Sequence, residues 1–119
     1  MTGVQTCALP ISAVRLAAAR ALAYLGQQAA ALDALAKLIT GGEPGDRADA
    51  AAELARLGDP RGSQVLIELG GSTDAAVRRA VVMAHLGAGT ITAGLWAALA
   101  DDQAATRLDA AIAILTLQR

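Results

Sequence analysis

Apolar and polar positions repeat along the chain in a register marked by four arginines. These are Arg15, Arg47, Arg78 and Arg107, at successive spacings of 32, 31 and 29 residues. Positions three and four after each arginine hold small or β-branched apolar residues, and position seven holds a larger residue: Leu22, Leu54, His85 and Ile114. Offsets of 0, 3, 4 and 7 share one face of an α-helix. The pattern therefore predicts a helix at each arginine; we call these the ladder arginines and the ladder helices.

A second helix is predicted before each ladder helix from the second one on. Twelve residues before the arginine the chain always has a leucine, at Leu35, Leu66 and Leu95. Segments rich in glycine, proline, serine and aspartate separate the helices, at 41–45, 58–60, 70–74 and 87–90. A helix pair of about thirty residues cannot bury its apolar face alone. We therefore expect an all-α chain of about three and a half stacked antiparallel helix pairs.

Three stretches of this repeat resemble the HEAT-repeat superfamily, in particular the short bacterial type named after the phycobiliprotein lyases. They are Val14–Ala19, Ala50–Pro60 and Val77–Val82, which follow the pattern Val-Arg-Arg-Ala-Ala-Ala-x-Ala-Leu-Gly-x-Leu-Gly-Asp. The resemblance extends over about residues 12–119. It implies a right-handed α-solenoid of armadillo-like type, and a concave surface, lined by the ladder helices, on which partner proteins bind.

The chain departs from this pattern in two respects. The family often places an aspartate six residues before the arginine, and only Asp101 does so here, because Gly41 and Ser72 hold the matching positions. His85 stands where the other repeats have leucine or isoleucine, and we expect it to be partly buried and hydrogen-bonded. A lone histidine, with no cysteine, second histidine or His-Glu pair near it, cannot form a metal site.

Residues 1–12 belong to no repeat and resemble the translation of a common short-read sequencing adapter. We expect this segment to be non-native and residues 13–119 to form the repeat domain, a fragment of a longer solenoid whose remaining repeats are expected partners. The alternatives are a native N-terminal arm or a signal peptide, although the basic start and long apolar core of a signal peptide are missing. The only cysteine, Cys7, lies in this segment, so we expect no disulfide and a cytoplasmic location.

The composition limits what the chain can bind. Apolar residues make up 55% of the 119 residues, whereas aromatic residues make up 2% and phenylalanine is absent. The core must therefore consist of Ala, Leu, Val and Ile, which suits closely packed helices better than a pocket for a large aromatic ligand, and we expect no cofactor. The net charge is −1, which argues against nucleic acid as a partner because such binding needs clustered cations.

Positions 2, 5 and 9 after each arginine point away from the buried stripe of a ladder helix. Arg20 and Tyr24 hold two of these positions in the first ladder helix. In the second ladder helix Arg56 holds one of them, and Glu53 lies beside them. By the resemblance this face is the concave one, so these four are the predicted partner-binding residues. The alternative is an ordinary solvated face, on which Glu53 and Arg56 form a pair three residues apart worth a few tenths of a kcal/mol.

The ladder arginines are predicted to have a structural role, on the buried side at the start of each ladder helix. There a guanidinium group can reach backbone carbonyls or the aspartate of a neighbouring turn. Aspartates that lie close in sequence are Asp46, Asp74, Asp101 and Asp102. Anion binding by these arginines is the alternative.

The stretch 80–100 carries no formal charge and is long enough to span a bilayer. The segment 87–90 interrupts it where the repeat requires a turn, so we predict no membrane span and keep a transmembrane helix as the alternative. Trp96, within this stretch, is expected to pack against a neighbouring helix rather than to stack on a ligand.

We predict a non-catalytic helical-repeat scaffold that binds another protein, because the repeat is present and no catalytic combination of residues is. The resemblance implies one alternative, a subunit of a phycobiliprotein-type chromophore lyase, which is supported only by the repeat subtype. A DNA-lesion-binding repeat protein is a third hypothesis, and the charge balance opposes it. The HEAT-like deoxyhypusine hydroxylases hold iron with His-Glu pairs, but here His85 is followed by Leu86.

Overall fold

Ladder helices and connecting helices alternate along the chain. The computed structural model describes residues 11–119. The ladder helices are α1 (Ile11–Tyr24), α3 (Pro44–Arg56), α5 (Ala75–Ala88) and α7 (Ala104–Leu117). The connecting helices are α2 (Gln28–Leu38), α4 (Pro60–Gly70) and α6 (Ala93–Ala97), the last followed by a 3₁₀ turn, Ala98–Ala100. Residues 11–119 contain no strand, and the predicted all-α fold is confirmed.

The helices form two layers. In the ladder layer, α3 packs against both α1 and α5, and α5 packs against α7. The outer layer consists of α2, α4 and α6, which pack against α1, α3 and α5 respectively. Short turns join each ladder helix to the next outer helix, so the two run antiparallel. The result is an elongated helical-repeat solenoid of 47 × 34 × 28 Å.

Small side chains make the contacts between neighbouring ladder helices. In every ladder helix at least one of the two residues at positions three and four after the arginine is buried; these buried residues are Ala19, Ala50, Ala51, Val81, Val82 and Ala110. The leucines of the outer layer, Leu35, Leu66 and Leu95, are buried between the layers. Because alanine adds little width, helix backbones can lie close together, and this explains how a chain without phenylalanine fills its core.

The first three ladder helices end in the same way. A glycine eleven residues after the arginine has a positive φ, at Gly26, Gly58 and Gly89. The next backbone N–H then donates to the carbonyl of position seven; the pairs are Gln27 to Leu22, Asp59 to Leu54 and Thr90 to His85. These bonds close the carbonyl end of each helix as in a Schellman motif. The break predicted at 87–90 begins later than expected, because α5 continues through Ala88.

Helices α3 and α4 approach each other closely at Gly62. The turn before α4 is capped by Asp59, whose Oδ1 accepts a hydrogen bond from the Arg61 N–H at 2.9 Å. Gly62 follows in the first turn and is buried. A Cβ atom at this position would lie 2.3 Å from the carbonyl oxygen of Ala51. The absence of a side chain at Gly62 therefore allows the contact between these two helices.

The outer helix of the third pair is shorter than the others. Helix α6 has 5 residues, whereas α2 and α4 have 11 each. Leu95 is buried against Val82 and Ile114, but Trp96 remains 47% exposed. Leu95 occupies the buried side of this short helix, and about half of the Trp96 surface is covered; that Trp96 packs against a neighbouring helix rather than stacking on a ligand stays a prediction.

Helix α1 begins at Ile11 rather than at the expected Ala13. The last two residues of the segment 1–12 are therefore helical, and Ser12 Oγ donates a hydrogen bond to Asp46 Oδ2 at 2.9 Å. Residues 1–10, with Cys7, lie outside the described residues. The proposed boundary between a non-native segment and the repeat domain stays a prediction.

Candidate functional site

Glu53 lies between two arginines on the surface of the ladder layer. Its Oε2 accepts a hydrogen bond from Arg20 Nε of α1, and its Oε1 accepts one from Arg56 Nε of α3, both at 3.0 Å. The Glu53 side chain is 4% exposed, whereas those of Arg20 and Arg56 are 44% and 41% exposed. The expectation that Glu53 itself is exposed is therefore wrong, because α3 lies between α1 and α5 and the two guanidinium groups bind its carboxylate. The surface consequently presents arginines rather than a glutamate.

Tyr24 lies one helical turn after Arg20 and is 92% exposed. Beside it is an open depression of about 550 Å³. Its lining residues come from α1, α3, α5 and the residue directly after α3: Arg20, Ala23, Tyr24, Glu53, Arg56, Leu57, Gly87 and Ala88. No outer-layer helix contributes to this lining, so the depression lies on the side of the ladder helices that faces away from α2, α4 and α6. We call this side the ladder face.

The depression follows one register position across three ladder helices. Tyr24, Arg56 and Gly87 each lie nine residues after their ladder arginine. Tyr24 and Arg56 were predicted from their side chains, whereas Gly87, which has none, was not among the predicted partner-binding residues. The shared offset was the available signal: equivalent positions on stacked helices lie next to one another, whatever residue they hold.

Asp49 adds a second acid on α3, one turn before Glu53. Partial burial raises the pKa of Asp49, nearby Arg20 lowers it, and the carboxylates of Asp46 and Glu53 raise it further. Asp49 is not among the residues that line the depression. Asp46 and Asp49 therefore lie nearer the start of α3 than the depression, which is lined by Glu53 and Arg56 near the end of that helix.

Three of the ladder arginines donate to a backbone carbonyl earlier in the chain. Arg47 Nε reaches the carbonyl of Ile39 at 2.9 Å, Arg78 Nη1 that of Ser72 at 2.9 Å, and Arg107 Nη1 that of Asp101 at 2.7 Å. Each bond ties the turn that follows an outer helix to the start of the next ladder helix. Arg47 and Arg78 are half-buried, but Arg15 and Arg107 are exposed. Their expected burial is wrong because, within the described residues, α1 and α7 have a ladder helix on one side only.

Arg78 also joins two successive helix pairs. Its Nε donates to Asp101 Oδ2 at 2.7 Å, and its Nη2 donates to Asp102 Oδ1 at 2.9 Å. The bond from the Arg78 guanidinium lowers the pKa of the Asp101 carboxyl to about 2. Asp74 instead caps α5, since its Oδ1 accepts a bond from the Ala76 N–H. Of the four aspartates considered for the ladder arginines, Asp101 and Asp102 make that contact.

A family model described as HEAT repeats matches residues 8–86. The chain belongs to the HEAT-repeat family. HEAT repeats generally serve as protein-interaction scaffolds. The match covers α1 to α4 and most of α5, and it includes every lining residue of the depression except Gly87 and Ala88. Comparison with curated proteins and with solved structures gives no match.

The third HEAT repeat accommodates His85 in the core. The side chain is fully buried, with Nδ1 2.8 Å from the Val81 carbonyl and Nε2 2.8 Å from Thr92 Oγ1. A carbonyl only accepts hydrogen bonds, so Nδ1 carries the proton and Nε2 accepts one from the Thr92 hydroxyl. Burial lowers the pKa of His85, and the ring is therefore neutral at pH 7. His85 is buried more completely than the sequence suggested, and both ring nitrogens are hydrogen-bonded.

Metal binding and membrane insertion find no support in the described residues of the HEAT chain. In residues 11–119, no three histidine, cysteine, aspartate or glutamate side chains are grouped so that they could hold a metal ion. The uncharged stretch 80–100 is divided between the end of α5, α6 and the 3₁₀ turn. None of the helices described is both long enough and apolar enough to cross a membrane.

Proposed function

We propose that this HEAT chain is a non-catalytic scaffold that binds a protein partner on its ladder face, through Arg20, Tyr24 and Arg56. The observation that carries the proposal is the burial of Glu53 beneath two half-exposed arginines. On an ordinary solvated face, a glutamate and an arginine three residues apart would both remain hydrated and contribute little. Here the carboxylate has lost most of its hydration and accepts two charge-assisted hydrogen bonds instead.

This arrangement favours binding because it holds two long side chains in place before a partner arrives. An arginine on a free surface loses side-chain entropy when a partner immobilises it, at a cost of about 0.5–1.5 kcal/mol. The bonds from Arg20 and Arg56 to Glu53 already restrict both guanidinium groups. Much of that cost has therefore been met on folding rather than on binding.

Tyr24 supplies the aromatic component of the surface. It is the only tyrosine in the chain, and it is almost fully exposed one turn from Arg20. Tyrosine and arginine are enriched in protein interfaces, where each combines apolar area with a polar end. The depression next to Tyr24 gives a partner side chain a place to enter.

A photo-crosslinking experiment tests the proposal. A photoreactive amino acid is placed at Tyr24 in one sample and at Gln64, an exposed residue of α4 in the outer layer, in a matched control. After irradiation in an extract of the source cells, we expect a discrete crosslinked protein from position 24 that is missing from position 64. The purified partner should then bind the wild-type chain at least tenfold more tightly than the Arg56→Gln variant. Crosslinks of equal pattern from both positions would refute binding on the ladder face.

The chromophore-lyase alternative rests on the repeat subtype alone and stays a prediction. Incubation of the purified chain with a bilin and an acceptor protein would test it through the visible absorbance spectrum. An unchanged spectrum would rule against lyase activity under those conditions.

A further inference from the structure

We infer that the partner presents an aspartate or glutamate side chain to Arg20 and Arg56, from an extended segment that crosses the ends of α1, α3 and α5 beside Gly87. This inference rests on the proposed function and specifies the chemistry of the partner.

The two arginines keep one edge of each guanidinium group available. Each uses its Nε atom to bind Glu53, and no other hydrogen-bond acceptor of either group is recorded among residues 11–119. The edge formed by Nη1 and Nη2 is one of the edges through which a guanidinium group can bind both oxygens of a carboxylate. Glu53 does not serve these edges, since its two bonds both come from Nε atoms.

Competing negative charge lies away from the depression. Asp49 and Asp46 are one and two turns nearer the start of α3, and Asp46 accepts its hydrogen bond from Ser12. The C-termini of the three ladder helices carry the negative ends of the helix dipoles. Their carbonyls at position seven, however, accept hydrogen bonds from backbone N–H groups of the turns that follow. The lining of the depression thus contains two cations and one buried anion, which favours an incoming anion.

Gly87 leaves room for the backbone of a crossing segment. A Cβ atom built at this position would have no atom within 4 Å, although Gly87 lies on the third ladder helix directly beside the depression. A larger residue there would occupy the depression without entering the core. Substitution of Gly87 therefore blocks the proposed path while leaving the packing of the helices intact.

The probe is a phage library of random twelve-residue peptides, selected on the 119-residue chain. Because the displayed peptides have no free C-terminus, any carboxylate recognised must come from an Asp or Glu side chain. We expect the selected peptides to be enriched in Asp and Glu relative to the starting library. Their recovery should fall by about tenfold or more on the Arg56→Gln variant, the loss typical of a hydrogen bond to a charged group. It should also fall on the Gly87→Trp variant, because the added side chain fills the proposed path.

Two matched variants control for bulk and charge on the outer layer. Gly70→Trp adds the same side chain at an exposed glycine of α4 that also has no atom near its Cβ position, and Arg61→Gln removes an exposed arginine. Neither should reduce recovery, and far-UV circular dichroism should show all four variants to be folded.

Each outcome decides between the inference and the proposed function. Selected peptides without acidic residues, still lost on Gly87→Trp, would overturn the carboxylate assignment and leave the ladder face as the binding surface. Peptides that bind Gly87→Trp as well as wild type would overturn the proposed path beside Gly87 and leave the proposed function to the crosslinking experiment. A library that yields no enriched peptide would overturn the inference, whereas the crosslinking experiment would still test the proposed function.

Discussion

The contact between α3 and α4 at Gly62 leads to a sharp prediction for Gly62→Ala. The added Cβ would lie 2.3 Å from the Ala51 carbonyl oxygen, 2.5 Å from the Ala55 nitrogen and 2.8 Å from the Leu54 Cβ. Ordinary van der Waals contact begins at about 3.4 Å, so α4 must move away from α3 by about 1 Å over this turn. Two of the three atoms are backbone, and they cannot rotate out of the way.

Two effects of opposite sign determine the result. Alanine is favoured over glycine inside a helix by up to about 1 kcal/mol. Forcing an extra carbon into a well-packed contact costs about 1–3 kcal/mol, and more when backbone has to shift. The buried side chains around Gly62, including Leu54 and Leu66, would lose contact area as the helices separate. We expect the packing cost to exceed the helix gain and the net destabilisation to be about 1–2 kcal/mol.

The assay is urea unfolding followed by circular dichroism at 222 nm, with Gly87→Ala as the matched control. Gly87 is also helical, but open space surrounds its Cβ position, so this variant should gain about 0.5–1 kcal/mol from helix propensity alone. The two glycine-to-alanine changes should therefore move the urea midpoint in opposite directions. A Gly62→Ala protein as stable as the wild type, or as stable as Gly87→Ala, would refute the close-contact reasoning.

Two further predictions concern ionisable groups. Because burial lowers the pKa of His85 below its unfolded value of about 6.5, the unfolded state binds the proton more readily. The free energy of unfolding should therefore be constant above about pH 7.5 and fall as the pH decreases through 6.5, and His85→Leu should abolish this dependence in urea titrations at pH 5–8. Of the two aspartates that bind Arg78, Asp101 has a side chain that is 8% exposed, so Asp101→Asn should lower the free energy of unfolding by about 1–3 kcal/mol. The Asp102 side chain is 80% exposed, so Asp102→Asn should lower it by less than about 1 kcal/mol. Equal losses in thermal melts would contradict this difference. Asp101 has a folded pKa of about 2 against an ordinary 3.8, so its contribution to stability should be present above pH 4 and disappear as the pH falls toward 2.

The helical architecture could be predicted because its signals are local and repeated. The register of the ladder arginines, the small residues three and four positions later and the glycines at the turns each recur several times. Repetition reveals a pattern that a single helix would not. The length of α6 could not be predicted in this way. Leu95 holds the repeated leucine position and therefore predicts a full outer helix, but its neighbours Gly94 and Trp96 do not support one.

The candidate surface was predictable in its position but not in its polarity. Periodicity places Arg20, Tyr24 and Arg56 on one face of two helices. It cannot show that Glu53 is buried, because the burial depends on Arg20 of α1 reaching across 33 residues of sequence to bond it. It also does not single out Gly87, since that residue lines the depression without a side chain of its own.

The ladder arginines tie each ladder helix to the turn before it. Arg47 reaches back eight residues to its carbonyl, whereas Arg78 and Arg107 each reach back six. The spacing from the outer-layer leucine to the next ladder arginine is twelve residues in every pair, so the shortening of the repeat from 32 to 29 residues lies between each ladder arginine and the next outer-layer leucine. Over evolutionary time, insertions and deletions would consequently be tolerated in the turns that follow the ladder helices, while the turns bonded by the arginines keep their length. The turns that follow the ladder helices are where a loop with a new binding specificity could be added to the chain.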